Sequence, residues 1–434
     1  MVTFSETELQ QWKRKRHWMT IIFSLQCFCI GIDYSSSFIS VWPYLKSMIK
    51  PKNPKYFYLA ICSSYHISAI VMSIILGKYI DQRGSVRKTF ICVNMLMVIG
   101  SIVYVMPFSP WLPVLGRFIA GVGGALIPIT SAETAKCYPS SVIKKKFSLF
   151  YSLYNAGFII GPGVMLTFES VNIWLSALNI RYENFCGLLT VVLMSSLAVL
   201  SYIALYDVSN IYRINKTRAD QETKRDVSWC GLCSHVDVGF ILILSFFGKY
   251  FYGAVEMWLP LLIIEVRRES VTEMNMMMMT SGLISVIVLI IFSIIRTSNS
   301  QIFYISVLGN LSFCGVLGVY LLYYFLPLNA YVKMTGTIIY GVSLAGLGVC
   351  DGIFVINTLA LMSPPSKQAL AESTRVSFGR AGFLCALMLS PWLFDWMPFV
   401  TLVYICIVLC QAIFMLVRMK TLICPKQLTH NSLV

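Results

Sequence analysis

The sequence predicts an all-α membrane protein of twelve transmembrane helices arranged as two pseudo-symmetric six-helix bundles, and three observations lead there. Of 434 residues, 57% are hydrophobic and only 12% charged, with a mean hydropathy of +0.73. So apolar a chain has the bilayer as its solvent. Apolar stretches of about 18 or more residues, the length that crosses hydrocarbon, recur along its length. The chain also resembles itself at a fixed offset of 225 residues: Gly116 faces Gly341, Ala120-Gly121 faces Ala345-Gly346, Gly123 faces Gly348, Pro139 faces Pro364, Ser148 and Ser152 face Ser373 and Ser377, and Ala156-Gly157-Phe158 faces Ala381-Gly382-Phe383. A register shared by so many pairs points to a duplicated bundle.

The first six spans fall near 18–42, 56–79, 89–106, 111–134, 146–168 and 185–206, and the second six near 238–264, 273–295, 301–326, 332–361, 372–394 and 398–418. This divides the chain into an N-terminal tail (1–17), a first bundle (18–206), a polar linker (207–236), a second bundle (237–419) and a C-terminal tail (420–434). The first apolar stretch follows Trp12-Lys-Arg-Lys-Arg16 and is too long for a cleavable signal core, so it is expected to remain as a helix. An even number of spans puts both termini on one side, and the basic run places that side in the cytosol. Arg83, Arg87 and Lys88, then Lys136 and Lys144 to Lys146, then Arg213, Lys216, Arg218, Lys224 and Arg225 fall on the same face. Lys46, Lys50, Lys52 and Lys55 run against the rule and read as a hydrated loop. The net charge of +15 is therefore mainly a topology signal. Basic residues scattered over short loops do not form a nucleic-acid surface.

Most of the fourteen cysteines lie in spans, where Cys acts as a small apolar residue. Cys230-Gly-Leu-Cys233, with His235 nearby, lacks the second ligand pair of a closed zinc site; ordinary thiols near the membrane, open to acylation, fit better. No metal and no cofactor is expected. The glycine-rich segments have no Lys-Ser/Thr ending to cradle phosphate, which removes ATP-driven transport, and no catalytic set suggests an enzyme.

Three motifs carry a resemblance. Gly77-x-x-x-Asp81-x-x-Gly84 followed by Arg87-Lys88 resembles the signature loop between helices 2 and 3 of the major facilitator superfamily, although Gln82 replaces the usual basic residue and Ser85-Val86 displace the basic pair. Arg117-x-x-x-Gly121-x-Gly123-Gly124 resembles a second motif of that family, and Gly157-x-x-x-Gly161-Pro162-Gly163 a third, often seen in antiporters. The loop's glycines allow a sharp turn, while Asp81 is suited to meet a helix N-terminus or an Arg and hold the cytosolic side shut. Glycines four apart let helices approach closely, and Pro162 opens the backbone ladder at a bend. Close packing alone also accounts for that third motif. Trp42-Pro43-Tyr44-Leu45, the glycine-rich fourth helix and Ala156 to Pro162 are similar to the endolysosomal branch associated with neuronal ceroid lipofuscinosis. That resemblance implies a lysosomal or endosomal membrane, with the plasma membrane as the alternative.

Ionisable groups inside spans are costly unless paired or hydrated, so they mark candidate sites. Asp33 and Arg117 lie at similar depth and are expected to pair, either as a fixed structural ion pair or as a site where a proton on Asp33 frees Arg117 for an anion. Lys249 and Glu256, seven residues apart, share a helix face. Asp351 and Arg380 form a second candidate pair, whereas Glu372 and Arg375 read as nearer the surface. His66 serves either as a proton shuttle or as hydrogen-bonded packing. Met276 to Met279 reads as adaptable packing.

The expectation is secondary active transport of a small anionic or zwitterionic solute: two bundles rock about a midplane site, with a proton as coupling ion. Two alternatives stay open, a passive chloride conductance lined by Arg117, Lys249 and Arg380, and a transport-inactive scaffold or receptor.

Overall fold

A computed structural model describes residues 6–82, 84–138, 140–170, 181, 183–208, 235–269, 271–295, 298–327, 329–364 and 367–423. The segment 209–234, with Cys230 and Cys233, and the end of the C-terminal tail lie outside the described residues. Twelve helical rods run through the rest: α1 (Glu6–Tyr44), α2 (Pro54–Asp81), α3 (Val86–Val105), α4 (Trp111–Cys137), α5 (Ser140–Ser170), α6 (Phe185–Ala204), α7 (Val236–Pro260), α8 (Val271–Ile294), α9 (Asn299–Phe325), α10 (Ala330–Met362), α11 (Gln368–Leu393) and α12 (Met397–Val417). Among the described residues nine of them are long and apolar enough to cross a membrane.

Helix boundaries follow local chemistry. Ser85 caps α3, its hydroxyl accepting from the Lys88 amide. Ser298 and Gln301 form a reciprocal capping box at the start of α9, and the Asn329 side chain caps α10; each supplies acceptors for amides with no partner inside the helix. The start of α1 lies further upstream than the apolar pattern implies. Its basic turn stays helical because Arg16 donates to the Cys137 carbonyl at 3.2 Å and its guanidinium lies 4.4 Å from the Trp12 and Tyr138 rings.

Within the first half α1 packs on α5 and α3 on α6; within the second, α7 packs on α11 and α9 on α12. The seam between halves is α2 against α11 and α5 against α8. The internal duplication is visible at atomic level. A Cβ on Gly157 of α5 would overlap the Phe28 carbonyl of α1, and one on Gly382 of α11 would overlap the Phe246 carbonyl of α7. Paired glycines let both crossings close to backbone contact. The register does not carry over to α4 and α10, where Gly116 packs against Gly100 of α3 but Gly341 packs against Ser281 of α8.

Among the described residues, wide π-helical turns end α1 at Leu45–Ile49 and α7 at Leu261–Val266, and a third interrupts α10 at Cys350–Val355. The third contains Asp351. A π turn shifts the facing of side chains relative to an ideal helix, and such turns concentrate at functional sites. Helix α4 is interrupted by a 3-10 turn over Gly121–Ala125, where Gly121 lies against the Tyr65 carbonyl of α2 and Gly124 against Arg380 of α11.

Candidate functional site

Between the halves lies a cavity of about 220 Å³. Its charged lining comes from Lys249 of α7, Asp351 of α10, and Arg375 and Arg380 of α11; Tyr34, His66, Phe158 and Phe383 form an aromatic wall. Beyond that wall, toward the face opposite the chain termini, a second void of about 20 Å³ is lined by Arg117, Ser37, Tyr65 and the same Tyr34, His66 and Phe383. The rings of the wall touch in mixed tilted, edge-on and stacked geometries. Phe383 and His66 have ring centroids 4.6 Å apart, and Tyr34 lies 6.0 Å from both His66 and Phe158.

The structure brings Asp33 and Arg117 together. Arg117 Nη1 donates to both Asp33 carboxylate oxygens (3.1 and 3.2 Å) and to Ser37 Oγ (3.0 Å), and Thr190 Oγ1 of α6 donates to Asp33 Oδ1 at 2.7 Å. The guanidinium also lies 4.5 Å from the Tyr65 ring centroid, a cation–π contact that adds favourable energy where water is excluded. Both charges are buried. Ser37, Tyr65 and Thr190 carry no charge to mark them in the sequence, and only the assembled helices show that they complete this site.

In the second half the expected Asp351–Arg380 pair is not formed. Asp351 Oδ1 instead accepts from Arg375 Nη1 at 2.7 Å and from Ser245 Oγ at 3.0 Å, while Lys249 Nζ approaches Asp351 Oδ2 at 3.5 Å. The expected surface position of Glu372 and Arg375 is likewise overturned. Their side chains are only 6% and 5% exposed and form a bidentate pair at 2.7 and 2.9 Å. The reason is geometric: Arg375 is one helical turn from Glu372, and the two neutralise each other where α11 packs on α7.

Arg380 crosses the seam. Its Nη2 donates to the Gly124 carbonyl of α4 at 2.8 Å, and its Nη1 finds no hydrogen-bond partner among the described residues. No carboxylate among those residues pairs with it. Gly124 permits the approach, since a Cβ there would occupy the guanidinium's position. His66 sits in the aromatic wall, its Nδ1 buried and without a partner among the described residues. The backbone of Glu256 lies on α7, and its side chain is outside the description.

At the face that carries the chain termini, Asp81 ties the halves together. Its Oδ2 accepts from the Leu370 amide at 2.8 Å and its Oδ1 from the Ala369 amide at 3.3 Å, both at the start of α11. Lys136 Nζ bridges Asp81 (3.1 Å) and Glu133 (2.8 Å), all three buried or nearly so. A carboxylate at a helix N-terminus satisfies open amides and opposes the positive end of the helix dipole. Gly77 allows the contact, because a Cβ there would overlap Ser373 of α11. Arg87 and Lys88 stay within the first half. The Arg87 amide donates to Asp207 at 3.0 Å, its guanidinium to the Tyr202 carbonyl, and the Lys88 amide to Ser85, while Gly84 packs on the Tyr79 ring.

Two glycines of the α5 motif sit at a close helix crossing. Gly157 and Gly161 lie against the α1 backbone around Phe28, Ile32 and Ser35, and Gly31 of α1 lies against Tyr154 in return. Pro162 follows inside the helix, and a Cβ on Gly163 would meet Met279, among the described residues, at an ordinary contact distance of 3.6 Å. In α4, Gly123 is covered by Met97. Among the described residues no three His, Cys, Asp or Glu side chains cluster as a metal site.

Two helical bundles facing each other across a polar-spotted central cavity define a membrane transport protein. The Major Facilitator Superfamily model matches residues 23–363, and the chain belongs to that family of membrane transporters, which are not enzymes. A sequence search among curated proteins finds no match. Solved structures match in fold. The human organic anion transporter MFSD10 (TETRAN) superposes with a TM-score of 0.69 at 11% identity, covering 93% of this chain and 99% of its own. The proton:xylose symporter XylE bound to 6-bromo-6-deoxy-D-glucose gives a TM-score of 0.70 at 15% identity, covering 92% and 94%, and a double-tryptophan XylE variant 0.72 at 15%, covering 95% and 96%.

Proposed function

We propose that this protein is a proton-coupled secondary transporter of a small anionic or zwitterionic solute, working by alternating access between a first bundle over residues 18–206 and a second over 237–419. The single observation that carries this reading is Arg380, a guanidinium in the wall of the central cavity with no carboxylate partner among the described residues. An unneutralised charge in a membrane interior marks a ligand path. The similarity to an organic anion transporter and to a proton-coupled symporter supports the reading.

The substrate site is the central cavity, with Arg380 and Lys249 as anion contacts. Coupling falls to Asp33: a proton there weakens its hold on Arg117 and frees a second cation beyond the aromatic wall. The Asp81 latch keeps the cytosolic side closed, and both termini lie in the cytosol. Residence in an endolysosomal membrane follows from the sequence resemblance. The test is solute flux in reconstituted vesicles against amino acids, organic anions and chloride, with and without a pH gradient. A pH gradient is expected to drive uphill accumulation of an anion or zwitterion and Asp33→Asn to abolish its pH dependence. Chloride currents that reverse at the Nernst potential irrespective of pH would overturn it in favour of a conductance.

A further inference from the structure

The charges around the cavity have a sum, and the sum selects an occupant. Lys249 is balanced by Asp351, and Arg375 by Glu372, so these four side chains together are neutral. Arg380 is left over, giving the described cavity one uncompensated positive charge. Burying an unpaired charge is expensive, whereas a paired and hydrogen-bonded one is tolerated. A solute with one negative charge completes the balance. A dianion brings a surplus, and a neutral solute leaves Arg380 as it was.

Aromatic rings are the largest group in the rest of the wall, set among aliphatic residues and a few hydroxyl and amide side chains such as Thr130, Ser131 and Asn155. Ten phenylalanine and tyrosine side chains line the cavity. Phe383 lies one turn beyond Arg380 on α11, and Phe383, His66, Tyr34 and Phe158 are in ring contact in sequence. Such a surface receives a flat apolar body through offset or edge-to-face contacts. At about 220 Å³ the cavity falls below the roughly 300–1,000 Å³ of sites for drug-sized ligands, which limits that body to about one ring. There is also room by design of the backbone: Gly248, beside Lys249, has open space where a Cβ would stand.

We infer that the cavity selects single-ring aromatic monoanions, with the acidic group on Arg380 and the ring against Tyr34, Phe158 and Phe383. This rests on the transport reading above and narrows its substrate class. The chemistry requires only a planar apolar ring bearing one carboxylate or equivalent acid.

Benzenesulfonate tests this, because its charge is independent of pH and it crosses lipid poorly. Uptake into vesicles holding the full chain is compared with methanesulfonate, which has the head group without the ring, and benzene-1,3-disulfonate, which has the ring with two charges. Benzenesulfonate is expected to enter at least about tenfold faster than either, the scale of one charge-assisted hydrogen bond or one buried ring. Arg380→Gln is expected to remove that uptake and Arg380→Lys to keep part of it. Should Arg380→Gln fail to fold, the wild-type protein supplies the second reading: benzenesulfonate raises its melting temperature in detergent and methanesulfonate does not. Equal uptake of the two monosulfonates, or uptake unchanged in a folded Arg380→Gln protein, overturns the inference. Proton-driven movement of an amino acid or chain-like anion with no movement of benzenesulfonate sinks the inference and leaves the transport reading standing. Movement of nothing in the panel, with or without a pH gradient, sinks both.

Discussion

Asp81 in the first half caps a helix of the second, its Oδ2 only 2.8 Å from the Leu370 amide. The same carboxylate receives Lys136 at 3.1 Å, so one side chain joins α2, α4 and α11 where the halves must part if that face is to open. Asp81→Asn keeps a carbonyl acceptor but loses the charge that favours both partners. A helix cap is worth about 0.5–2 kcal/mol, and a tenfold change in an equilibrium is 1.4 kcal/mol. Hydrogen exchange of the Ala369 and Leu370 amides is expected to rise about tenfold in Asp81→Asn, with exchange in α12 unchanged. Equal protection in variant and wild type would show that the latch does not hold the face closed.

Asp33 and Arg117 lie buried against each other with Ser37 and Thr190 as supports. Removing one member strands the other's charge, a loss of about 3–5 kcal/mol, whereas removing both is far milder. Asp33→Asn and Arg117→Gln should each lower the melting temperature of the purified protein, and the double variant should recover most of the loss. Simple addition of the two losses in the double variant would mean that the pair is not coupled in the folded protein.

The α1–α5 and α7–α11 crossings make the same demand at Gly157 and Gly382, each pressed on a phenylalanine carbonyl of the neighbouring helix. A methyl group at either position must force the backbones apart, and overpacking of this kind costs about 1–3 kcal/mol. Gly157→Ala and Gly382→Ala are therefore expected to be destabilised to a similar degree. Gly163→Ala, whose added methyl group would meet Met279 at an ordinary 3.6 Å, is expected to melt like wild type. Thermal unfolding in detergent separates these outcomes, and a stable Gly157→Ala protein would refute the close approach.

Position along a span is readable from the sequence; the direction a side chain faces is less so. Asp33 and Arg117 could be matched because they lie at similar depth on neighbouring helices, and they meet. Depth alone could not choose between Arg375 and Arg380 as partner for Asp351. The two are five residues apart on α11, about 140° around the helix, so they face different neighbours: one toward α7 and α10, the other across the seam to Gly124. The π turn at Cys350–Val355 adds a further rotation that no periodic pattern announces. The spacing Glu372-x-x-Arg375 was the available clue to a buried intrahelical pair, and it reads equally as a hydrated surface pair until α7 is placed beside it. The close approaches at Gly157 and Gly161 follow from a missing side chain, which acts through backbone distance and depends little on rotamer.

The charge balance of the cavity can be changed by one without emptying it. Asp351 is 17% exposed and its partner Lys249 is 37% exposed, so both retain access to the cavity, and the loss of a carboxylate there is partly relieved by water or solute. Asp351→Asn raises the described charge from one positive to two while keeping a side chain of the same size. Selectivity is a difference of affinities, and the added cation favours a second acidic group by about 1.5–3 kcal/mol when it is hydrogen-bonded. The ratio of benzene-1,3-disulfonate to benzenesulfonate uptake is thus expected to rise by about tenfold or more in Asp351→Asn. Lys249→Gln, which removes a cation beside the same carboxylate, should lower the uptake of both. A ratio that stays fixed in Asp351→Asn, in a protein that still carries benzenesulfonate, would show that cavity charge does not set the valence of the solute.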